Sequence, residues 1–274
     1  MTPAENPVGE TALWTLYHRA LAARRGILDD PKAIALVEAI DYPFEQRFGR
    51  RRFATWQGLR VRAFDTQIKR FLQAKPDATV VALGEGLETQ FWRVGNGRVT
   101  WVTVDLPEMI AFRERHLPPT TRTIAASALD VNAWRDARPD LITAQGLLMY
   151  LDRDAVHTLF AIAPPAAVLF DVVAPWLAGA SAKARSETDD FQPPPWTYTA
   201  DPRELASLPL DDLRRVPLPH AGHVLVPLVT RLVRAIDVYS ARTSTTNAST
   251  TSTASTTNVA TAARAATRAT RRDA

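Results

Sequence analysis

The sequence predicts an α/β fold on a mostly parallel sheet with helices placed ahead of it, and three observations lead there. Short β-rich runs alternate with longer amphipathic stretches, the rhythm of βαβ units. Three of those runs end in Gly, Asp or Gln, so polar and permissive residues gather at strand ends. Before the first run, apolar residues recur at helical spacing instead.

Thr11 to Ile27 places Leu13, Leu16, Tyr17, Ala20 and Leu21 on one stripe of a helix, and Asp30-Pro31 opens a second. A third helix near Trp56–Gln73 sets Leu59, Ala63 and Ile68 against Arg60, Arg62, Lys69 and Arg70. Residues 1–75 therefore read as a helical cap. Thr79–Leu83 has no charged residue, as expected of a strand buried on both faces, and it ends at Gly84. Val99–Val104 gives a second strand ending at Asp105, after which Pro107 suits the first turn of a helix running through Arg115. Arg122–Ala126, Asp140–Ala144 and Ala166–Val173 supply strands three to five, the fourth running into Gln145-Gly146. Residues 175–211, centred on Pro193-Pro194-Pro195-Trp196, lose all periodicity and predict an insertion or lid over the sheet. A strand at Leu213–Pro219, an apolar helix around Val224–Val233 and a strand at Ala235–Ala241 complete a core spanning 76–242. Residues 243–274 are almost all Thr, Ser, Ala, Asn and Arg; they cannot offset ordering entropy by burial and read as a disordered low-complexity tail.

With 274 residues, 46% of them apolar, the chain can build one large core, which excludes disorder throughout. The absence of Cys excludes a disulfide scaffold, a thiolate nucleophile and cysteine-held metal. The net charge of +4 suggests a polyanion partner until it is located: Arg264, Arg268, Arg271 and Arg272 against Asp273 place +3 of it in the tail. The body is nearly neutral, so no nucleic-acid partner is expected. No run approaches the ~18 apolar residues of a membrane helix, and the start shows no basic-then-apolar progression, so no membrane partner is expected and a cytoplasmic location is the default.

In an open parallel sheet, ligands bind beyond the carboxyl ends of the strands, where strand order reverses. The first strand runs into Gly84-Glu85-Gly86, where two glycines allow a sharp turn and a close backbone approach. Asp105 follows Gly84 by 21 positions, a distance suited to a carboxylate that accepts from the hydroxyls of an adenosine ribose. A dinucleotide site wants a third glycine where Thr89 stands, and Glu85 and Glu88 at that turn would repel a pyrophosphate while tolerating a sulfonium or ammonium. These residues favour S-adenosyl-L-methionine over a nicotinamide cofactor.

The stretch Val80–Arg93, then Val104-Asp105-Leu106-Pro107-Glu108, then Gln145 to Leu151 resembles the leucine carboxyl methyltransferase family, and within it the bacterial polyketide O-methyltransferases. The likeness covers about residues 11 to 173, including Thr11-Ala12-Leu13-Trp14 and Arg60 to Asp65. It implies a class I S-adenosylmethionine-dependent methyltransferase fold that acts on a carboxylate or hydroxyl oxygen of a small-molecule acceptor such as a polyketide. It also implies that Gly84, Glu85 and Gly86 line the cofactor, that Asp105 with Leu106 holds its ribose, and that Ser127, Ala128, Leu129 and Asp130 border the adenine. Arg60 matches the arginine that pairs with the cofactor carboxylate, with Arg62 as the alternative register. Two residues depart from the family pattern: Gln145 stands where Glu is usual beside the cofactor amine, and Glu88 where Asp is common.

On the acceptor side, Tyr150 is expected to face the substrate, with Trp14 and Tyr17 walling the pocket from the cap. No catalytic residue is singled out, because in-line transfer to an ionised carboxylate needs alignment rather than a base. His18, His116, His157, His220 and His223 are scattered and read as structural, and the H-x-x-H of the last pair is weak as a metal signal. Two further readings remain open at this stage: a nicotinamide-dependent oxidoreductase, and a protein that binds S-adenosylmethionine without turnover.

Overall fold

A computed structural model describes residues 7–49, 53–184, 196–219 and 236–244. Four helices precede the sheet: α1 (Pro7–Arg24), α2 (Pro31–Ala39), α3 (Phe44–Phe48) and α4 (Phe53–Ala74). Asp30 caps α2 by accepting from Ala33 N at 3.0 Å, and Pro31 occupies the first turn as its spacing foretold. The α1 and α4 backbones cross closely at Gly58, where an added Cβ would lie 2.8 Å from both Ala22 Cβ and Ile27 Cγ2. Leu13, Leu16, Tyr17, Leu36, Phe44 and Phe48 form a core of the cap, which Leu87 and Phe112 join from the sheet side. The short α3 has no counterpart in the sequence reading.

The strands are β1 (Thr79–Leu83), β2 (Thr100–Asp105), β3 (Arg122–Ala125), β4 (Leu141–Ala144), β5 (Ala167–Val173), β6 (Leu210–Val216) and β7 (Ile236–Thr243). They form one sheet in the order β3-β2-β1-β4-β5-β7-β6. The first five run parallel, and β7 enters antiparallel between β5 and β6. Alternation along β1 divides its side chains between two layers. Val81 and Leu83 join Trp134, Ile142 and Phe170 on one face, while Val80 and Ala82 join Phe64, Ile68 and Trp101 on the other. The chain leaves β1 for β2 and β3, then returns to β4 on β1's other side, so the carboxyl ends of β1, β2 and β4 flank the switch point.

Crossing segments include α5 (Gln90–Val94), α6 (Pro107–His116), α7 (Val131–Trp134) and α8 (Arg153–Ile162). The expected insertion at 175–211 contains α9 (Pro175–Ala184) and α10 (Pro202–Ala206), and β6 starts within it. Apolar spacing is weak there because α9 carries Ala, Gly and Ser rather than a large-residue stripe. The expected centre at Pro193–Pro195 and the helix at 224–233 lie outside the described residues. Thr243, assigned by composition to the tail, ends β7: its Oγ1 accepts from Ala166 N at 2.8 Å. Met1–Ser244 clusters as one compact unit, and no helix of the described residues is long and apolar enough to cross a membrane.

Candidate cofactor site

The turn after β1 is built on backbone that favours glycine: φ is +60° at Gly84 and +52° at Gly86. Gly84 N donates to Val104 O at 2.8 Å, which ties the turn to the end of β2. There Asp105 accepts from Gly86 N at 2.6 Å through Oδ2 and from Leu106 N at 2.8 Å through Oδ1. Burial raises the Asp105 carboxyl above the ordinary range, and the two backbone donors and Arg113 oppose that rise. Each oxygen retains a lone pair, so Asp105 can still accept from a vicinal diol. Leu106 beside it is exposed.

Arginines grip the turn from behind. Arg19 Nη2 donates to Leu87 O, and Arg113 Nη1 to Gly86 O and Glu88 O, each at 2.7 Å. This arrangement corrects the expected role of Glu85. Its carboxylate lies beneath the turn, accepting from Trp101 Nε1 at 3.1 Å with Arg113 at 3.5 Å, and burial raises its pKa. Glu88 is likewise enclosed. Although burial opposes ionisation, Arg19 and Arg93 hold its pKa down at about 2. The helix after the turn opens only at Gln90 and is five residues long.

Gln145, half-buried at the end of β4, donates through Nε2 to Glu88 Oε2 at 2.8 Å, and its Oε1 faces Gln90 Nε2 at 3.3 Å. Arg60, not Arg62, reaches the same strand end. Its Nη1 donates to Asp171 Oδ2 at 2.8 Å, and a Cβ on Gly146 would lie 3.2 Å from that nitrogen. Arg62 lines a separate polar cleft of about 550 Å³ with Lys32, Asp65 and Lys69. Asp171 also accepts from Gly146 N at 2.6 Å. The sequence reading missed it, although a carboxylate within an otherwise apolar buried strand was a signal that something pairs with it.

The segment after β3 divides in two. Ser127 and Asp130 are exposed and Leu129 is half-buried. The Ala128 side chain points into the core, and its carbonyl accepts from Trp134 Nε1 at 3.0 Å, so its methyl borders no ligand. Tyr150 closes a 3-10 turn, Leu148–Tyr150, with Thr11 of α1 and Trp196 against its hydroxyl; burial raises its pKa, which suits it to donating a hydrogen bond rather than taking a proton. Trp14 is half-buried, 4.5 Å from the His18 ring. Tyr17 does not wall the cleft: it is 5% exposed and stacks on Phe44 inside the cap. Its place on the helix stripe was core all along.

The model of the family described as leucine carboxyl methyltransferase matches residues 11–163. The chain belongs to that family. It is 35% identical over 182 residues to the tetracenomycin polyketide synthesis O-methyltransferase of Streptomyces glaucescens, covering 62% of this chain and 67% of that one. A Mycolicibacterium smegmatis relative, named as an S-adenosyl-L-methionine-dependent methyltransferase, is 30% identical over 185 residues, with 56% and 61% covered. The match thus spans about three fifths to two thirds of these relatives' own length. A solved Thermobifida fusca structure described as a methyltransferase shares the fold, with TM-score 0.52 and 17% identity over 84% of this chain and 94% of that one.

The family's cofactor is S-adenosyl-L-methionine, and the site fits it on a structural ground. Arg60 Nε is a buried donor without a partner among the described residues, next to the glycine turn at Gly146. The resemblance assigns the cofactor carboxylate to Arg60, the ribose to Asp105 and the amine to the position of Gln145, and we propose these three as the contacts.

Proposed function

We propose that this chain transfers the methyl group of S-adenosyl-L-methionine to a carboxylate oxygen of a small organic acid. The observation that carries the reading is the Asp105 carboxylate, anchored by Gly86 N and Leu106 N at the switch point. When bound, the cofactor supplies an electrophilic methyl on a sulfonium. The protein's work is alignment, worth ~7–11 kcal/mol when oxygen, carbon and sulfur are held in line.

A carboxylate acceptor is favoured over a phenol because it arrives ionised, whereas a phenol with pKa ~10 calls for a base. The described histidines are engaged elsewhere: His18 is fully buried in the cap, His116 packs on Phe112, and His157 Nε2 lies 3.2 Å from Ser207 Oγ. Tyr150, whose raised pKa keeps its hydroxyl protonated, offers a donor to an anionic acceptor instead. The polyketide acid class follows by analogy with the Streptomyces glaucescens relative.

The test is calorimetry with S-adenosylhomocysteine on the wild type and Asp105→Ala. Loss of charge-assisted hydrogen bonds of ~1.5–3 kcal/mol predicts an affinity roughly ten-fold or more weaker. Unchanged affinity would reject the site.

A further inference from the structure

The cap, the cofactor turn and the end of β4 meet in one buried polar cluster. Arg19 comes from α1, Asp30 from the α2 cap, Asp65 from α4, Glu88 and Thr89 from the turn, and Arg93 from α5. Arg93 bonds Asp30, Glu88 and Asp65 at 2.7–2.8 Å. Two guanidinium groups face three carboxylates, and on the outer side Asp30, Asp65 and Arg93 line the polar cleft that also carries Lys32, Arg62 and Lys69. Nearby, Glu85 lies 3.5 Å from Arg113 and Asp171 lies 2.8 Å from Arg60.

Toward the strand ends, the Glu88 carboxylate of this cluster meets Gln145. Glu88 accepts only, so the Gln145 nitrogen must face it at 2.8 Å, which directs Oε1 to the other side as an acceptor. That oxygen has only a long contact, 3.3 Å from Gln90 Nε2, and so keeps acceptor capacity. Positions 88 and 145 therefore touch one another. A carboxylate at 145 would meet the Glu88 carboxylate at hydrogen-bond distance.

We propose that Glu88 is a positioning residue for the cofactor's ammonium group: it supplies the negative charge that Gln145 lacks and fixes the Gln145 amide so that its oxygen receives the cation. This rests on the cofactor reading above. Orientation and charge act with the same sign, since removing the Glu88 charge both frees the amide to flip and takes away the attraction.

The experiment compares, by calorimetry, S-adenosylhomocysteine with its deaminated analogue S-adenosyl-4-thiobutyrate, which keeps the carboxylate and lacks only the amine. The wild type is expected to prefer the amine-bearing ligand roughly ten-fold or more. Glu88→Gln should erase the preference while leaving affinity for the deaminated analogue unchanged. Combining Glu88→Gln with Gln145→Glu, which moves the charge across the bond, should restore it. Should Glu88→Gln fail to fold, Gln145→Met leaves the arginine cluster whole and is expected to lose the preference too. A wild type that binds neither ligand overturns the cofactor reading and this inference together. A wild type that binds both alike, a Glu88→Gln that weakens both equally, or a Gln145→Met that keeps the full preference overturns this inference alone.

Discussion

Asp105 shows how one side chain couples solvent acidity to ligand affinity. Its folded pKa is raised by burial, so the neutral form is favoured in the free protein as pH falls from neutrality. A diol donates best to the ionised form, so cofactor affinity should fall on acidification, and the fall should begin above the ordinary aspartate value of 3.8. Calorimetry across pH 4–7 checks this, and affinity flat down to ~4 would contradict it. Asp171 makes a stability prediction instead: Asp171→Asn strands a buried guanidinium that is 4% exposed and should cost ~3–5 kcal/mol in urea denaturation. At Gly84, φ is +60° and a Cβ would lie 2.9 Å from Leu147 Cδ1 and 3.4 Å from its Cβ. Gly84→Ala should therefore destabilise through backbone strain, by about 1–2 kcal/mol. At this scale the turn at Gly84 and Gly86 and the place of Asp105 at the end of β2 were readable in the sequence. It was ambiguous where partners are distant in the chain, so Glu85 and Tyr17 were placed at the site while their bonds and stacking lie in the interior.

Elements are held to one another here by charge as much as by apolar contact. Arg93 joins α5 to α4 and to the residue that caps α2. Arg93→Met leaves carboxylates enclosed without their partner and should lower stability by ~3–5 kcal/mol. The same cluster sets an acid limit. Glu88 is depressed from 4.5 to about 2, so its contribution is complete above about pH 4.5 and is lost as pH falls toward about 2. Thermal melts between pH 5 and 2 should show a steeper decline in the wild type than in Glu88→Gln. Helix spacing announced α1, α2, α4 and α6 because each has a stripe or a Pro start. It missed α3 and gave no bounds for α5, since a helix of about one turn has too few residues to show a period.

For the whole molecule, composition and the order of β-rich runs were enough for the α/β class, because parallel strands buried on both faces leave an apolar signature. The position of β7 was not readable. Its residues Asp237, Tyr239 and Arg242 are interspersed with Val238 and Ala241, which could describe an edge strand equally well, yet it lies inside the sheet with Val238 fully buried. A chain cut after Ser244 should keep its unfolding transition, whereas one cut before Ile236 should associate, as light scattering would report.

That late insertion has a price in time. As the nascent polypeptide leaves the ribosome, one rim of the β5 ladder stands open to any passing strand until Ile236–Thr243, made more than 60 residues after Val173, arrives as its mate. A cell making this protein in quantity should therefore depend on holdase chaperones during synthesis rather than after release.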